Sequence, residues 1–379
     1  MELYIGLLSG TSMDGMDACL VDFRPSVPRI LGSLHKPYPH ALLAELRALL
    51  RPAAEEGVHR MARLDAWLGE LFGATALELL QNARPLPAPV IAIGSHGQTL
   101  RHCPQGDWPY TLQIGDPHRI AERTGLTVVA DFRRRDLAAG GQGAPLVPPA
   151  HAAFFGHDRE TRIIANIGGI SNITILPRPG PDGAQPAVWG FDTGPGNTLM
   201  DAWILRHRDL AFDEGGAWAR QGRAHEALLD KMLATPYFHR PPPKSTGPEM
   251  FNLDWLEAIA PVAMASLTPE DVQATLLELT ARTLLQAART AAPDADRLLV
   301  CGGGAFNEAL MGRLRELAGP MPVESTAAHG VDPAWVEALA FAWLARQAMN
   351  GRAGNLPAVT GARGARILGA IYPATPGGA

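Results

Sequence analysis

Twice in this chain a short apolar run breaks into a turn of glycines and side-chain hydroxyls or amides, then resumes as a second apolar run. The first turn is Ser9-Gly10-Thr11-Ser12-Met13-Asp14-Gly15-Met16-Asp17, flanked by strand-like residues 3–9 and 17–23. The second is Asn166-Ile167-Gly168-Gly169-Ile170-Ser171-Asn172, flanked by 162–165 and 172–176. Either one alone reads also as an ordinary hairpin, the first because Asp14-Gly15 is a favoured turn pair. As a pair they open two halves of the chain in the same way. Each half then continues as strands and helices, which predicts two α/β domains.

The rest of the pattern fits that reading. Helical periodicity runs through 42–51, 59–80, 198–206, 225–233, 272–291, 306–317 and 335–349. Strand-like segments fall at 90–93, 126–130, 188–191, 297–300, 322–324 and 366–371. Residues 137–149, rich in Gly, Ala and Pro, read as a crossing between the halves. The expected domains are 1–133 and 134–379, with the C-terminal strand free to return to the first. A chain of 379 residues suits two cores. A net charge of −5 argues against nucleic acid as the main partner. The three cysteines, Cys19, Cys103 and Cys301, are far apart and form no C-x-x-C pair. They suit a reducing, cytoplasmic compartment rather than a disulfide scaffold or zinc knuckle. The apolar start carries Glu2 where a signal peptide has basic residues, so it reads as a first strand. No apolar run approaches the ~20 residues of a membrane span.

Ligands of open α/β sheets bind beyond the carboxyl ends of the strands, and the polar clusters fall there. In the first turn, backbone N–H groups suit phosphate oxygens, and its carboxylates, Asp14 above all, suit Mg²⁺. The second turn offers a matching grip in the other half. In Cys301-Gly302-Gly303-Gly304-Ala305-Phe306-Asn307, adjacent glycines let the backbone approach a bulky ligand such as an adenosine. Asp192, in Gly190-Phe191-Asp192-Thr193-Gly194-Pro195-Gly196-Asn197, stands between a strand and a helix. Asn197 or Thr198 is better placed to cap that helix, which leaves Asp192 as a candidate general base.

Ser95, His96 and Gln98 follow one predicted strand, and Asp131 and Arg133 follow another; all suit sugar hydroxyls, an amide or a carboxylate. His96, His102 and Cys103 are too sparse a set for a metal. Lys244-Ser245-Thr246 follows three prolines. Thr246 with Glu249 and Pro248 forms a capping box, and capping and active-site roles stand level there. No G-x-x-x-x-G-K-[ST] occurs, no G-x-G-x-x-G follows a strand, and no G-x-S-x-G elbow is found.

These features together resemble the actin/hexokinase/Hsp70 superfamily of ATP-binding proteins. More narrowly, eight blocks look like signatures of the anhydro-N-acetylmuramic acid kinases. They include Gly94-Ser95-His96-Gly97-Gln98-Thr99, Ala130-Asp131-Phe132-Arg133, Gly140-Gly141-Gln142-Gly143-Ala144-Pro145 and Pro243-Lys244-Ser245-Thr246-Gly247. The blocks run in order from the first strand to about residue 340. The resemblance implies a two-domain actin/hexokinase-like (ribonuclease H-like) fold with an interdomain active-site cleft. It implies ATP and Mg²⁺, and Asp192 as the base that activates water. ATP would be held by residues 9–17 with Asn166, Gly168, Gly169, Asn172, Gly194, Asn197, Gly302, Gly303, Gly304 and Asn307. Ser95, His96, Gln98, Asp131, Arg133 and Glu337 would hold the sugar, and the protein would be a homodimer. A kinase of another hexose, or an actin/Hsp70-like ATP-driven clamp, are the rival expectations.

Overall fold

In the computed structural model, which describes residues 2–10, 13, 15–25, 27–50, 57–180, 186–261 and 266–374, the chain divides into two compact units. One comprises Met1–Phe154 with Trp335–Ala379, the other Phe155–Ala334.

The first unit is built on β1 (Leu3–Leu8), whose six residues are all buried. Such an unbroken apolar run is what a strand covered on both faces requires. It pairs antiparallel with β2 (Gly15–Asp22), which pairs antiparallel with β3 (Arg29–Pro37). On its other side β1 pairs parallel with β4 (Val90–Ser95). A separate antiparallel hairpin follows, β5 (Gln98–Cys103) with β6 (Tyr110–Ile114). The sheet then adds β7 (Val128–Ala130), parallel to β4, and the C-terminal strand Ala370–Tyr372, antiparallel to β7.

The helix Val336–Met349 packs on β1 and β4 through two glycines. A Cβ at Gly6 would lie 1.8 Å from Ala338 O, and one at Gly94 2.1 Å from Phe341 O. Only glycine permits that approach.

The second unit has β8 (Arg162–Ile167), β9 (Ile170–Leu176) and β10 (Trp189–Pro195) as an antiparallel meander. β11 (Arg297–Cys301) runs parallel to β8, and β12 (Val323–Ser325) parallel to β11. The helix Pro269–Ala291 supplies Leu276, Leu279, Leu284 and Leu285 to the core beneath this sheet.

The strand orders are β3-β2-β1-β4-β7, with the C-terminal strand beyond β7, and β10-β9-β8-β11-β12. In both, a three-stranded meander continues into two parallel strands. One plan used twice is the α/β, two-domain, actin/hexokinase-like architecture expected from the sequence.

The units divide the chain elsewhere than at 133/134. Residues 134–154 stay with the first unit because the fully buried Asp136 anchors them. Its Oδ1 accepts from Asn355 Nδ2 and Thr360 Oγ1, both at 2.8 Å, and its Oδ2 from Gly143 N at 2.8 Å. Strand β3, the β5–β6 hairpin and a helix at Pro117–Thr124 are additional to the expected elements.

Candidate active site

The first hairpin leaves β1 at Ser9. This residue is buried, with Oγ 2.7 Å from Gly15 O and 2.8 Å from Gln98 Oε1. Gln98 is fully buried and donates Nε2 to Gly10 O at 3.3 Å. Its side chain therefore braces the turn from below. Met16 points into the core, and Asp17 Oδ1 lies 2.7 Å from His35 Nδ1. Met13 holds a positive φ of 54°. The expected phosphate and metal contacts Thr11, Ser12 and Asp14 lie outside the described residues.

The second hairpin gathers most of the remaining expected nucleotide contacts. A Cβ at Gly168 or Gly169 would have no neighbour nearer than 3.8 Å, so the turn presents bare backbone. Their carbonyls are engaged by the following segment: Asn197 N donates to Gly168 O at 2.8 Å and Gly196 N to Gly169 O at 2.9 Å. Asn197 Nδ2 donates to Ile167 O at 3.2 Å instead of capping the helix Thr198–Arg208, so the expected Asn197 side-chain cap is not made.

Gly302, at φ 78°, would place a Cβ 2.5 Å from Asn166 Oδ1, and Gly304 one 2.4 Å from Ile167 Cγ2. The glycine turn after β11 is thus fitted against the β8 turn. Asn307 is buried and caps the helix Glu308–Ala318, accepting from Leu310 N at 3.0 Å. That contact fixes the helix start behind the turn.

In register, Asn166 pairs with Asn172 and Asn172 with Asp192. Directly opposed residues share a face, so an amide, an amide and a carboxylate stand in one row beside the glycines. Immediately after Asp192 the register shifts, a bulge of the kind that re-aims a side chain. The Asp192 carboxyl is partly enclosed. Burial raises its pKa to about 6, opposed by the Thr246 N–H and reinforced by Glu249. Thr246 N donates to Oδ2 at 3.1 Å. No helix begins at Thr246; the next one starts at Leu253 and is capped by Asn252. The capping box is therefore not formed, and Thr246 serves Asp192.

In the first unit, His96 Nδ1 lies 3.0 Å from Gly97 O, and Arg133 Nε donates to His96 Nε2 at 3.0 Å. These bonds require a neutral ring protonated on Nδ1. Burial, then the Arg133 cation, hold its pKa well below the usual value. Arg133 Nη1 donates to Gly143 O at 2.8 Å. Burial lowers the Arg133 pKa to about 10, and the Glu337 charge works the other way. Glu337 sits in the first turn of Val336–Met349. Of the residues weighed for a metal, His102 Nδ1 lies 3.0 Å from Thr111 Oγ1. Among the described residues no cluster of three His, Cys, Asp or Glu suits a metal.

Beside His96 is a cavity of about 160 Å³ lined by Asp65, Ser95, Gln113, Asp131, Arg134 and Tyr372 among others. Ser95 is 1% exposed, and its Oγ has no hydrogen-bond partner among the described residues. Asp131 adopts φ 60°, uncommon for a residue other than glycine, and burial raises its pKa. Asp65, Gln113 and Tyr372 escaped the sequence reading. Asp65 sits on a long helix whose polar residues carry no other signal, and Tyr372 arrives on the returning C-terminal strand. A larger cavity, about 600 Å³, lies by Ile163 and Asp296, at the far end of β8 from the glycines. It is lined mainly by Ala, Pro, Met and Ile and holds no comparable cluster of polar groups.

Comparison with known proteins gives the class, an ATP-dependent sugar kinase, and narrows it. The family model described as anhydro-N-acetylmuramic acid kinase matches residues 2–374. A Coxiella burnetii protein of that name is 49% identical over 371 residues, covering 98% of this chain and 97% of its own. One from Xanthomonas campestris pv. campestris is 50% identical over 375 residues, with the same two coverages. Solved structures align more distantly. An activator of 2-hydroxyisocaproyl-CoA dehydratase from Clostridium difficile, with bound ADPNP, gives a TM-score of 0.45 at 9% identity, over 92% of this chain and 97% of that one. The chain belongs to the anhydro-N-acetylmuramic acid kinase family.

Proposed function

We propose that this protein uses ATP to phosphorylate O6 of 1,6-anhydro-N-acetylmuramic acid while water opens the anhydro bridge at C1. The products are N-acetylmuramic acid 6-phosphate and ADP, and the setting is the recycling of cell-wall sugars. The observation that carries the reading is Asp192, a partly buried carboxylate in one row with Asn166 and Asn172 at the edge of a bare glycine turn. With a pKa of about 6, it is ionised at neutral pH yet basic enough to take a proton.

The chemistry balances with that single carboxylate. Asp192 takes a proton from water as the hydroxyl oxygen bonds to C1. The C1–O6 bond breaks, and O6 attacks the γ-phosphorus, so the departing oxygen needs no acid. An inverting glycosidase needs a second carboxyl for that step. Arg133 and Glu337 are assigned to the sugar's carboxylate and hydroxyls, with Ser95 and Asp131 beside them. Arg133 is held by His96, whose neutral ring orients it. The glycines of residues 9–17, 168–169 and 302–304 are assigned to ATP.

Mg²⁺ is part of the proposal, with Asp14 as its protein ligand; a hard cation on ATP needs few protein oxygens. So are a cytoplasmic location and a homodimer. Among the described residues no helix is long and apolar enough to cross a membrane. Asp192→Asn should lower sugar-dependent ATP turnover by about 10²–10⁴-fold, the range of a lost general base. Turnover within a few-fold of wild type would refute the assignment.

A further inference from the structure

Asp192 is held at three atoms by one short segment. Its N donates to Lys244 O at 3.2 Å, its O accepts from Tyr237 Oη at 2.7 Å, and its Oδ2 accepts from Thr246 N at 3.1 Å. That segment is itself closed by Lys244. Its Nζ donates to Tyr237 O and Phe238 O, both at 3.2 Å, and lies 4.9 Å from the Tyr237 ring centre and 5.6 Å from that of Phe191. Tyr237 is buried, its ring edge-on to Phe251 at 5.6 Å. Lys244 is one of three lysines in a chain that otherwise uses arginine. A compact ammonium fits between two carbonyls and two ring faces; a planar guanidinium fork does not.

We propose that Tyr237 and Lys244 are positioning residues for the general base, closing the 237–246 segment so that the Thr246 N–H stays on the Asp192 carboxylate. The inference rests on the reading of Asp192 as that base.

The charges around Asp192 show why this matters. Glu249 opposes its ionisation, and Thr246 N–H favours it. Tyr237 stays neutral, its pKa raised by burial and then by Asp192. Arg240 acts on both Tyr237 and Lys244. If the N–H moves away, burial and Glu249 act unopposed, the protonated form gains, and the base becomes available only at higher pH.

The test is steady-state ATP turnover with 1,6-anhydro-N-acetylmuramic acid, across the pH range spanning the Asp192 pKa, for the full chain and for Lys244→Met, Tyr237→Phe and Asp192→Asn. The first two variants should keep KM for both substrates within about twofold. They should lose about fivefold in kcat at pH values below the acid limb, the factor one net hydrogen bond carries, and less than about twofold at neutral pH. Their acid limb should move up by about half a pH unit or more, so the deficit narrows in alkali. An acid limb at the wild-type position, or a loss carried by KM, overturns the proposal. If Lys244→Met fails to fold, Tyr237→Phe decides, since it removes one oxygen and keeps the ring. Turnover retained by Asp192→Asn would refute the base itself. An inactive Asp192→Asn with unmoved limbs in the other two refutes only the positioning role.

Discussion

A buried hydroxyl with no partner among the described residues costs stability, which supports the proposal that Ser95 Oγ, beside Asp131 and His96, is held for a ligand. Ser95→Ala should leave the melting temperature unchanged or slightly higher and raise KM for the sugar several-fold. A lower melting temperature with unchanged KM would make Ser95 a packing residue. Asp192 makes two predictions about pH. As the proposed base it would act ionised, so kcat should rise with pH through an acid limb near its pKa of about 6. Its folded pKa is raised above the unfolded value, so it favours folding below that unfolded value and the contribution is lost as pH rises through about 6. Asp192→Asn should therefore melt no lower than wild type at pH values above that limb. A melt there lower than wild type would contradict the sign. At this scale the sequence was informative about residue type more than role. Asp192 and Ser95 stand out by position, but Gln98 and His96 bond inward, to the first turn and to Arg133. No pattern in one dimension separates a ligand contact from its support.

The elements that were legible are those whose pattern matches their burial. β1 and β8 are buried along their whole lengths; β1 reads as an unbroken apolar run, and β8 as Ile163-Ile164-Ala165 between Arg162 and Asn166. β3 was not legible because none of its residues is buried, Ser33, His35 and Lys36 are among them, and among the described residues it pairs in the sheet with β2 alone. The helix Pro117–Thr124 is short and polar, but its ends are written plainly: Asp116 caps it, Pro117 opens it, and Gly125 closes it at φ 67°. Cap signals find such a helix where periodicity does not. The seam of Val336–Met349 on β1 and β4 makes its own prediction. Gly94→Ala would force a methyl to 2.1 Å from Phe341 O. It should cost about 1–3 kcal/mol, read as a melting temperature several degrees lower; an unchanged melt would contradict the close approach.

At the scale of the whole molecule, the two opening hairpins announced a plan used twice, and strand order confirms it in each unit. The division of the chain was less legible. Residues 335–379 follow the second unit in sequence and belong to the first, because a linear pattern does not say which sheet a helix covers. Gly6 and Gly94 carried that information, each lying in an apolar strand where a side chain would otherwise be expected. Plan and site meet in one proposed reaction, water opening a sugar ring as ATP closes a phosphate ester. The most direct test supplies purified protein with ATP, Mg²⁺ and 1,6-anhydro-N-acetylmuramic acid in ¹⁸O-water. The reaction is quenched promptly, before the anomeric hydroxyl exchanges, and the product is read by mass spectrometry. The expected product is a sugar phosphate carrying one solvent oxygen, at C1. No product from this sugar, with steady phosphorylation of an ordinary hexose, would contradict it.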